Sequence, residues 1–157
     1  MLTINEATIG RAWNVQGDAH RLGLALPVAP NTVTRTGAGT AMWLGPRSWL
    51  VFAERVDVQD GAVFDVSASR VGWTLEGATA ASVLAKHCAL DLATFAPGSC
   101  AQSLFGQVNA LYYRHANRDA FTLFVARSFG EDVLHHLEAS AAQYGCELIA
   151  ARPFAAD

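Results

Sequence analysis

The side chains of this 157-residue chain that are best suited to bind a metal ion or attack a substrate are five histidines and three cysteines. His135 and His136 are adjacent, and neighbouring side chains of a helix point about 100° apart, so the two imidazoles cannot easily bind one ion. The chain has no H-E-x-x-H string and no paired His and Cys spacing. We therefore interpret the histidines as surface residues and predict no metal site.

Cys88 follows His87, and a Cys–His pair can form an activated nucleophile. Sequence neighbours at a helix end rarely face each other, however, and a free cysteine is usually buried and inert. The same interpretation applies to Cys100, which follows a Pro-Gly-Ser string. The odd number of cysteines and the absence of C-x-x-C predict three free thiols in a cytoplasmic protein.

Common catalytic and phosphate-binding motifs are also absent. The chain has neither G-x-S-x-G nor G-x-x-x-x-G-K-[ST], and the GAGT string at residues 37–40 predicts a turn between strands. Asp65, Glu76 and Asp91 lie in or near structured segments. A lone carboxylate more often caps a turn or pairs with an arginine than acts as a base. We predict no catalytic and no cofactor-binding residue.

Arg70, Arg127 and Trp49 are the candidates for contact with a partner protein. Either arginine could pair with Asp65 or Asp91 inside the fold, which is the role we favour, or bind a carboxylate of a partner. Tryptophans bury large areas and are mostly core residues, but they are also enriched in binding hot spots. The chain has four of them at or near predicted strands: Trp13, Trp43, Trp49 and Trp73.

Short β-branched and aromatic runs between Gly and Pro residues predict most of the elements that position these candidates. The turn at residues 45–48 joins two strands as a hairpin. A short helix at 17–26, capped by Asp18, and a second helix at 77–87 are also predicted. The predicted strands are 32–36, 41–44, 49–53, 63–67, 71–75, 103–108, 110–114, 121–126 and 146–150.

The strongest local pattern predicts a helix at 129–144. Ser128 and Glu131 are spaced as a capping box, and Gly145 stands where a left-handed cap belongs. From residue 71 onward the order is strand, helix, several strands, helix and strand, which is close to a ferredoxin-like split βαβ unit with an extra strand. The apolar face of the helix contains Phe129, Val133, Leu134, Leu137 and Ala141.

Composition restricts the function classes. Apolar residues make up 52% of the chain and charged residues only 16%, so a partner could cover part of the apolar surface, although an alanine-rich core explains the same numbers. The net charge of −3 and the lack of a basic stripe argue against nucleic-acid binding. No apolar stretch is long enough to span a membrane, and the first residues do not resemble a secretory signal.

Four strings, in order along the chain, resemble the gamma subunits of heterotetrameric sarcosine oxidase. They are GPRSWLVFAE at 45–54, DVSASRVGWTLEG at 65–77, LAKHCALDLATFAPGSCAQSLFGQV at 84–108 and FTLFVARSFGEDVLHHLEASAAQYG at 121–145. The resemblance implies membership of a wider group of folate-binding domains. It therefore implies a two-lobed α+β fold of antiparallel sheets and helices, one domain over 1–157 with sub-lobes at about 1–62 and 63–157, the second ferredoxin-like.

The resemblance also implies a function: a non-catalytic gamma subunit that assists assembly or stability of a four-chain complex. In that complex the alpha, beta and delta subunits hold NAD, FAD, FMN and tetrahydrofolate. The complex oxidises sarcosine to glycine, forms hydrogen peroxide and passes the one-carbon unit to tetrahydrofolate.

Two alternatives stay open at this point. The first is a stand-alone folate-binding or aminomethyltransferase-like domain, which needs one of the carboxylates named above in an open cleft. Residues 86–91 depart from the K-G-C-Y-x-G-Q-E string of related tRNA-modifying proteins, which argues against folate-linked redox chemistry by that route. The second alternative is a free-standing homo-oligomer.

Overall fold

The computed structural model describes residues 1–157 and confirms a mixed α+β fold built mostly from antiparallel sheets. Its two α-helices are α1 (Ala80–Leu84) and α2 (Gly130–Ala141). Its strands are β1 (Leu2–Thr8), β2 (Ala12–Gln16), β3 (Val33–Thr36), β4 (Gly39–Gly45), β5 (Ser48–Phe52), β6 (Ala62–Asp65), β7 (Arg70–Glu76), β8 (Cys100–Phe105), β9 (Val108–Arg114), β10 (Ala120–Ala126), β11 (Cys146–Leu148) and β12 (Arg152–Pro153).

The strands form a seven-stranded and a five-stranded sheet. The larger sheet has the order β11-β1-β7-β10-β9-β8, with β12 also paired to β1. The smaller sheet has the order β3-β4-β5-β2-β6. Because β1 lies between β7 and β11, residues 63–157 do not complete the larger sheet by themselves. In addition, β6, which lies at the predicted boundary, belongs to the smaller sheet. The predicted sub-lobe boundary near residue 62 therefore does not follow sheet membership.

Both faces of the larger sheet carry buried side chains. Side chains alternate between the two faces along each strand, so consecutive apolar residues need cover on both sides. On one face, Val71, Trp73 and Leu75 of β7 pack with residues of α1 and α2. On the other face, Leu111 and Phe124 belong to a second cluster with residues of the smaller sheet. This double burial accounts for the almost continuous apolar sequence of β10, AFTLFVA.

Several predicted elements are confirmed, while the first 26 residues differ from the prediction. The hairpin of β4 and β5 turns between Gly45 and Ser48, as predicted. Strands β1 and β2 were not predicted, and the predicted helix at 17–26 is wrong. The carbonyl of Asp18 accepts hydrogen bonds from the amides of Arg21 and Leu22, which closes one turn but does not continue as a helix.

The helix α2 is present, but its predicted capping box is not formed. A 3-10 turn over Arg127–Phe129 precedes α2, so Ser128 lies inside that turn and makes no capping hydrogen bond. Phe129, predicted on the apolar face, is 46% exposed, whereas Val133, Leu137 and Ala141 are buried as predicted. The chain leaves the helical region at Gly145, whose φ of 72° favours glycine.

A closing segment, residues 149–157, covers part of the larger sheet beside the smaller one. The ring of Phe154 lies 4.9 Å from that of Phe124 and 5.0 Å from that of Phe52, measured between centroids. Its backbone N–H donates to the carbonyl of Thr8. The segment therefore fills space between the sheets with an aromatic side chain.

A buried histidine fixes the end of the closing segment. The His115 Nδ1 atom lies 2.8 Å from Oδ1 of Asp157, and Nε2 lies 2.9 Å from Oγ1 of Thr122. The Thr122 hydroxyl is 2.7 Å from that of Thr74 on the neighbouring strand. A neutral imidazole can make both of these hydrogen bonds: Nδ1–H donates to the Asp157 carboxylate, and Nε2 accepts from the Thr122 hydroxyl.

Burial of this cluster favours that neutral imidazole. Burial and the nearby Arg118 guanidinium lower the pKa of His115, although the Asp157 carboxylate opposes them. Burial would raise the pKa of Asp157, but amide donors from Ala116 and Asn117 together with His115 lower it. The prediction of surface histidines therefore holds for His20, His135 and His136, which are exposed, and is wrong for His115.

We expect Phe154→Ala to lower the free energy of unfolding by about 2 kcal/mol. This is below the ~3–5 kcal/mol typical of a fully buried phenylalanine, because Phe154 is only half-buried. Denaturant titration measures the change. Val28→Ala is the control, since Val28 is 63% exposed and should change stability by less than about 0.5 kcal/mol. Equal effects of the two substitutions would contradict the packing role of Phe154.

The His115 cluster predicts a pH dependence of stability. Below about pH 6.5 the unfolded chain protonates this histidine while the folded chain resists, so the free energy of unfolding should fall as the pH falls through that value. His115→Gln should flatten the slope between about pH 7 and pH 5, and His20→Gln should keep it, because His20 is exposed. Denaturant titrations across that range measure the slope, and an unchanged slope in His115→Gln would refute the assignment.

Candidate functional site

Trp49, predicted as a contact residue for a partner, lies inside the fold. Its side chain is 1% exposed and packs with Val15 and Leu22 in a cluster of the smaller sheet. Its indole N–H donates to the carbonyl of Pro27 at 2.7 Å. The interface role proposed for Trp49 is therefore corrected: β5 turns this side chain inward, where it cannot touch a partner.

Arg127 is exposed, but its guanidinium is used within the chain. Nε donates to the carbonyl of Ala68 at 2.8 Å, and Nη2 donates to the carbonyl of Arg70 at 3.3 Å. These two bonds hold the connection between β6 and β7 against the start of α2. The predicted pairing with Asp65 or Asp91 is absent, because Arg127 binds carbonyls.

The three carboxylates singled out from the sequence also have local partners. Asp65 forms an ion pair with Arg11 at 3.3 Å, and its pKa is lowered by hydrogen bonds from Ser67. Glu76 pairs with Arg118 at 2.8 Å. Asp91 accepts a hydrogen bond from the amide of Ala93 at 3.1 Å. These are the contacts of carboxylates that cap turns and pair with arginines.

Arg70 differs from the other candidates because its guanidinium has no partner in the chain. The side chain is half-buried, takes part in no ion pair and donates no hydrogen bond. Burial lowers the pKa of Arg70. The side chain lines an open cleft of about 490 Å³ together with residues of β8 and β9. Of the predicted contact residues, Arg70 alone keeps a free charged group.

The cysteines do not form a nucleophilic pair. The Cys88 sulfur accepts from the amide of Leu90, whereas the His87 ring stacks on Phe105 and its Nε2 lies 2.5 Å from the hydroxyl of Ser140. Cys100 is fully buried, and burial raises the pKa of its thiol to about 11. A thiol with such a pKa stays protonated at neutral pH and is a weak nucleophile.

Histidines also line a groove of about 400 Å³ beside α2. The rings of His87 and His136 lie 6.0 Å apart, and Nδ1 of His136 donates to the carbonyl of Asp132 at 2.8 Å. No group of three or more His, Cys, Asp or Glu side chains is arranged to hold a metal ion. No helix is long and apolar enough to cross a membrane.

The hydrogen-bonded series Asp157–His115–Thr122 has the residue types of a catalytic triad, but it is not accessible to a substrate. Thr122 is fully buried, and its hydroxyl is shared with Thr74, so no substrate carbonyl can reach it. Sequence reasoning missed this cluster. The available signal was a single threonine within the apolar run of each of two strands, VGWTL of β7 and AFTLFVA of β10.

The comparisons with known proteins agree with the resemblance seen in the sequence. The model of the sarcosine oxidase, gamma subunit family matches residues 12–143. A sarcosine oxidase subunit gamma from Corynebacterium sp. (strain U-96) is 33% identical over 129 residues, which cover 73% of this chain and 62% of that relative. The chain thus spans less than two thirds of the relative's length.

A solved structure is similar in fold. It is a heterotetrameric sarcosine oxidase from Corynebacterium sp. U-96 in complex with pyrrole 2-carboxylate, and one of its chains aligns with a TM-score of 0.79 at 23% identity. The alignment covers 95% of this chain and 88% of that chain. Since the family model matches most of its residues, the chain belongs to the sarcosine oxidase gamma subunit family.

Proposed function

We propose that this chain is a non-catalytic gamma subunit that assists the assembly or stability of a heterotetrameric sarcosine oxidase. The observation that carries the proposal is the family match over residues 12–143. The complex would oxidise sarcosine to glycine and transfer the one-carbon unit to tetrahydrofolate. The gamma chain would contribute a folded surface to that complex and no reacting group.

The state of the reactive side chains supports a non-catalytic role. The carboxylates named from the sequence are bound to arginines or turn amides, and the buried thiol of Cys100 is protonated at neutral pH. His115 and His87 each hydrogen-bond to a hydroxyl of the same chain. General acid–base or nucleophilic catalysis needs such a group within reach of a substrate.

The proposed partners are the alpha, beta and delta subunits, which would hold NAD, FAD, FMN and tetrahydrofolate in the cytoplasm. Three free cysteines are consistent with a reducing compartment. Large apolar side chains are exposed in the 3-10 turn before α2, on both edges of the larger sheet and on an edge of the smaller one. Such side chains are available for burial against a partner. They include Phe64, Leu104, Phe129 and Leu148.

We further propose that the two sheets are the two lobes of a folate-binding-domain-like fold that has lost its ligand. Support comes from the two-sheet architecture and from the motif resemblance. The cavity beside β3, β4 and β5, about 320 Å³, is mostly apolar and lined by residues such as Leu24, Leu26 and Val51. It has no acidic side chain to pair with the polar pterin ring.

The partner proposal predicts the outcome of co-expression. When this chain carries an affinity tag and the candidate alpha, beta and delta subunits of the same organism do not, all three should be retained together, with flavin absorbance in the eluate. The same subunits expressed with an unrelated tagged protein provide the control. Recovery of the tagged chain without any flavin-containing partner would count against the proposed function.

The loss of folate binding predicts the result of isothermal titration. Tetrahydrofolate added to the isolated full chain should give no binding at micromolar concentrations, while the assembled complex should bind it. Micromolar binding by the isolated chain would favour a stand-alone folate-binding or aminomethyltransferase-like domain instead. Light scattering on the same sample tests whether the chain forms a homo-oligomer.

A further inference from the structure

The position of Arg70 follows from the alternation of side chains along β7. Val71, Trp73 and Leu75 point into the core beneath the helices, so Arg70 points to the opposite face of the larger sheet. On that face the sheet packs against the smaller sheet through Leu111 and its neighbours. Arg70 lies at the end of β7, where the smaller sheet no longer covers the face and the cleft opens.

A hydrogen bond between the two sheets holds the rim of the cleft in place. The Gln102 side chain on β8 donates to the carbonyl of Leu44 on β4 at 2.7 Å, which marks the limit of the smaller sheet. Leu104, two residues farther along β8, is 46% exposed and pairs in register with Asn109. The cleft therefore combines one cation, polar side chains and an accessible apolar side chain.

No acid of this chain is placed to neutralise Arg70. Asp65, at the end of β6, and Glu76, at the far end of β7, form ion pairs with Arg11 and Arg118. All fully buried side-chain nitrogen and oxygen atoms have hydrogen-bond partners, so the unbonded nitrogens of Arg70 must still reach solvent through the cleft. A half-buried guanidinium with open donors is suited to bind a carboxylate through two parallel hydrogen bonds.

We propose that the cleft at Arg70 receives an aspartate or glutamate side chain of a partner subunit. The inference rests on the proposed function, because it needs a partner. A protein carboxylate fits better than a free small acid, since the cleft is open and Leu104 beside it offers an apolar contact for a neighbouring partner residue. Gln102 and Asn109, whose side chains share this face with Arg70, can supply further hydrogen bonds to the bound segment.

The test measures affinity between the full chain and the rest of the co-expressed complex. Loss of one partner of a desolvated ion pair weakens binding strongly, so Arg70→Gln should raise the dissociation constant by about tenfold or more. Arg21→Gln is the matched control: Arg21 is an exposed arginine paired with Asp60 at 3.2 Å, and its loss should leave affinity within about twofold. Equal affinity of wild type and Arg70→Gln would overturn the inference.

A second measurement identifies the partner group and does not depend on the stability of Arg70→Gln. In an Arg70→Lys complex, a carbodiimide should join the new amine to the bound carboxylate with loss of water. Mass spectrometry should find the peptide of position 70 linked to an aspartate or glutamate of another subunit. A link to a carboxylate of the same chain, or no link in an assembled complex, would overturn the inference.

The outcomes separate this inference from the proposed function. If wild-type chain recovers no partner, the proposed function fails and the inference fails with it. If wild type assembles and Arg70→Gln assembles equally well, only the inference fails. If acetate or glycine raises the melting temperature of the isolated wild-type chain but not of Arg70→Gln, while assembly is unaffected, the cleft binds a small carboxylate and the inference is again overturned.

Discussion

The seven-stranded sheet has apolar side chains on both faces, so each face must be covered by other parts of the chain. One face is covered by α1 and α2, and the other by the five-stranded sheet together with the closing segment. Within this sheet β1 lies between β7 and β11, so the N-terminal residues hydrogen-bond to elements more than 60 positions away. The chain passes from β1 of the larger sheet directly to β2 of the smaller one, which ties the two sheets together near the β11 edge. Such a link suits a subunit that presents a fixed surface.

Double burial also determines where polar groups can stand. Thr74 and Thr122 lie on a covered face, so their hydroxyls must bond to each other and to His115, which in turn holds Asp157. The need for a partner on a covered face applies to Arg70 as well. It stands at the margin of that face, where the cover ends, and it is half-buried without an acid beside it. A cation retained in such a place gains most from a carboxylate supplied by another chain.

The sequence predicted the features that depend on local patterns and missed those that depend on distant partners. The hairpin at Gly45–Ser48, the strand β10 and the buried stripe of α2 followed from turn residues and periodicity. β1 was missed because its sequence, LTINEAT, mixes apolar residues with Asn and Glu, and its partner strands come much later in the chain. The His115–Asp157 contact spans 42 residues, and no local rule connects them. Trp49 was misjudged because a strand pattern does not say which face is covered.

We propose that this chain makes and breaks no bonds and that it contributes a shaped surface to the complex. Sarcosine-dependent formation of hydrogen peroxide, measured for the purified chain and for the co-expressed four-chain complex at equal concentration, distinguishes this role from catalysis. We expect turnover by the complex and none by the isolated chain, with or without added flavin and tetrahydrofolate. Turnover by the isolated chain at a rate near that of the complex would contradict it.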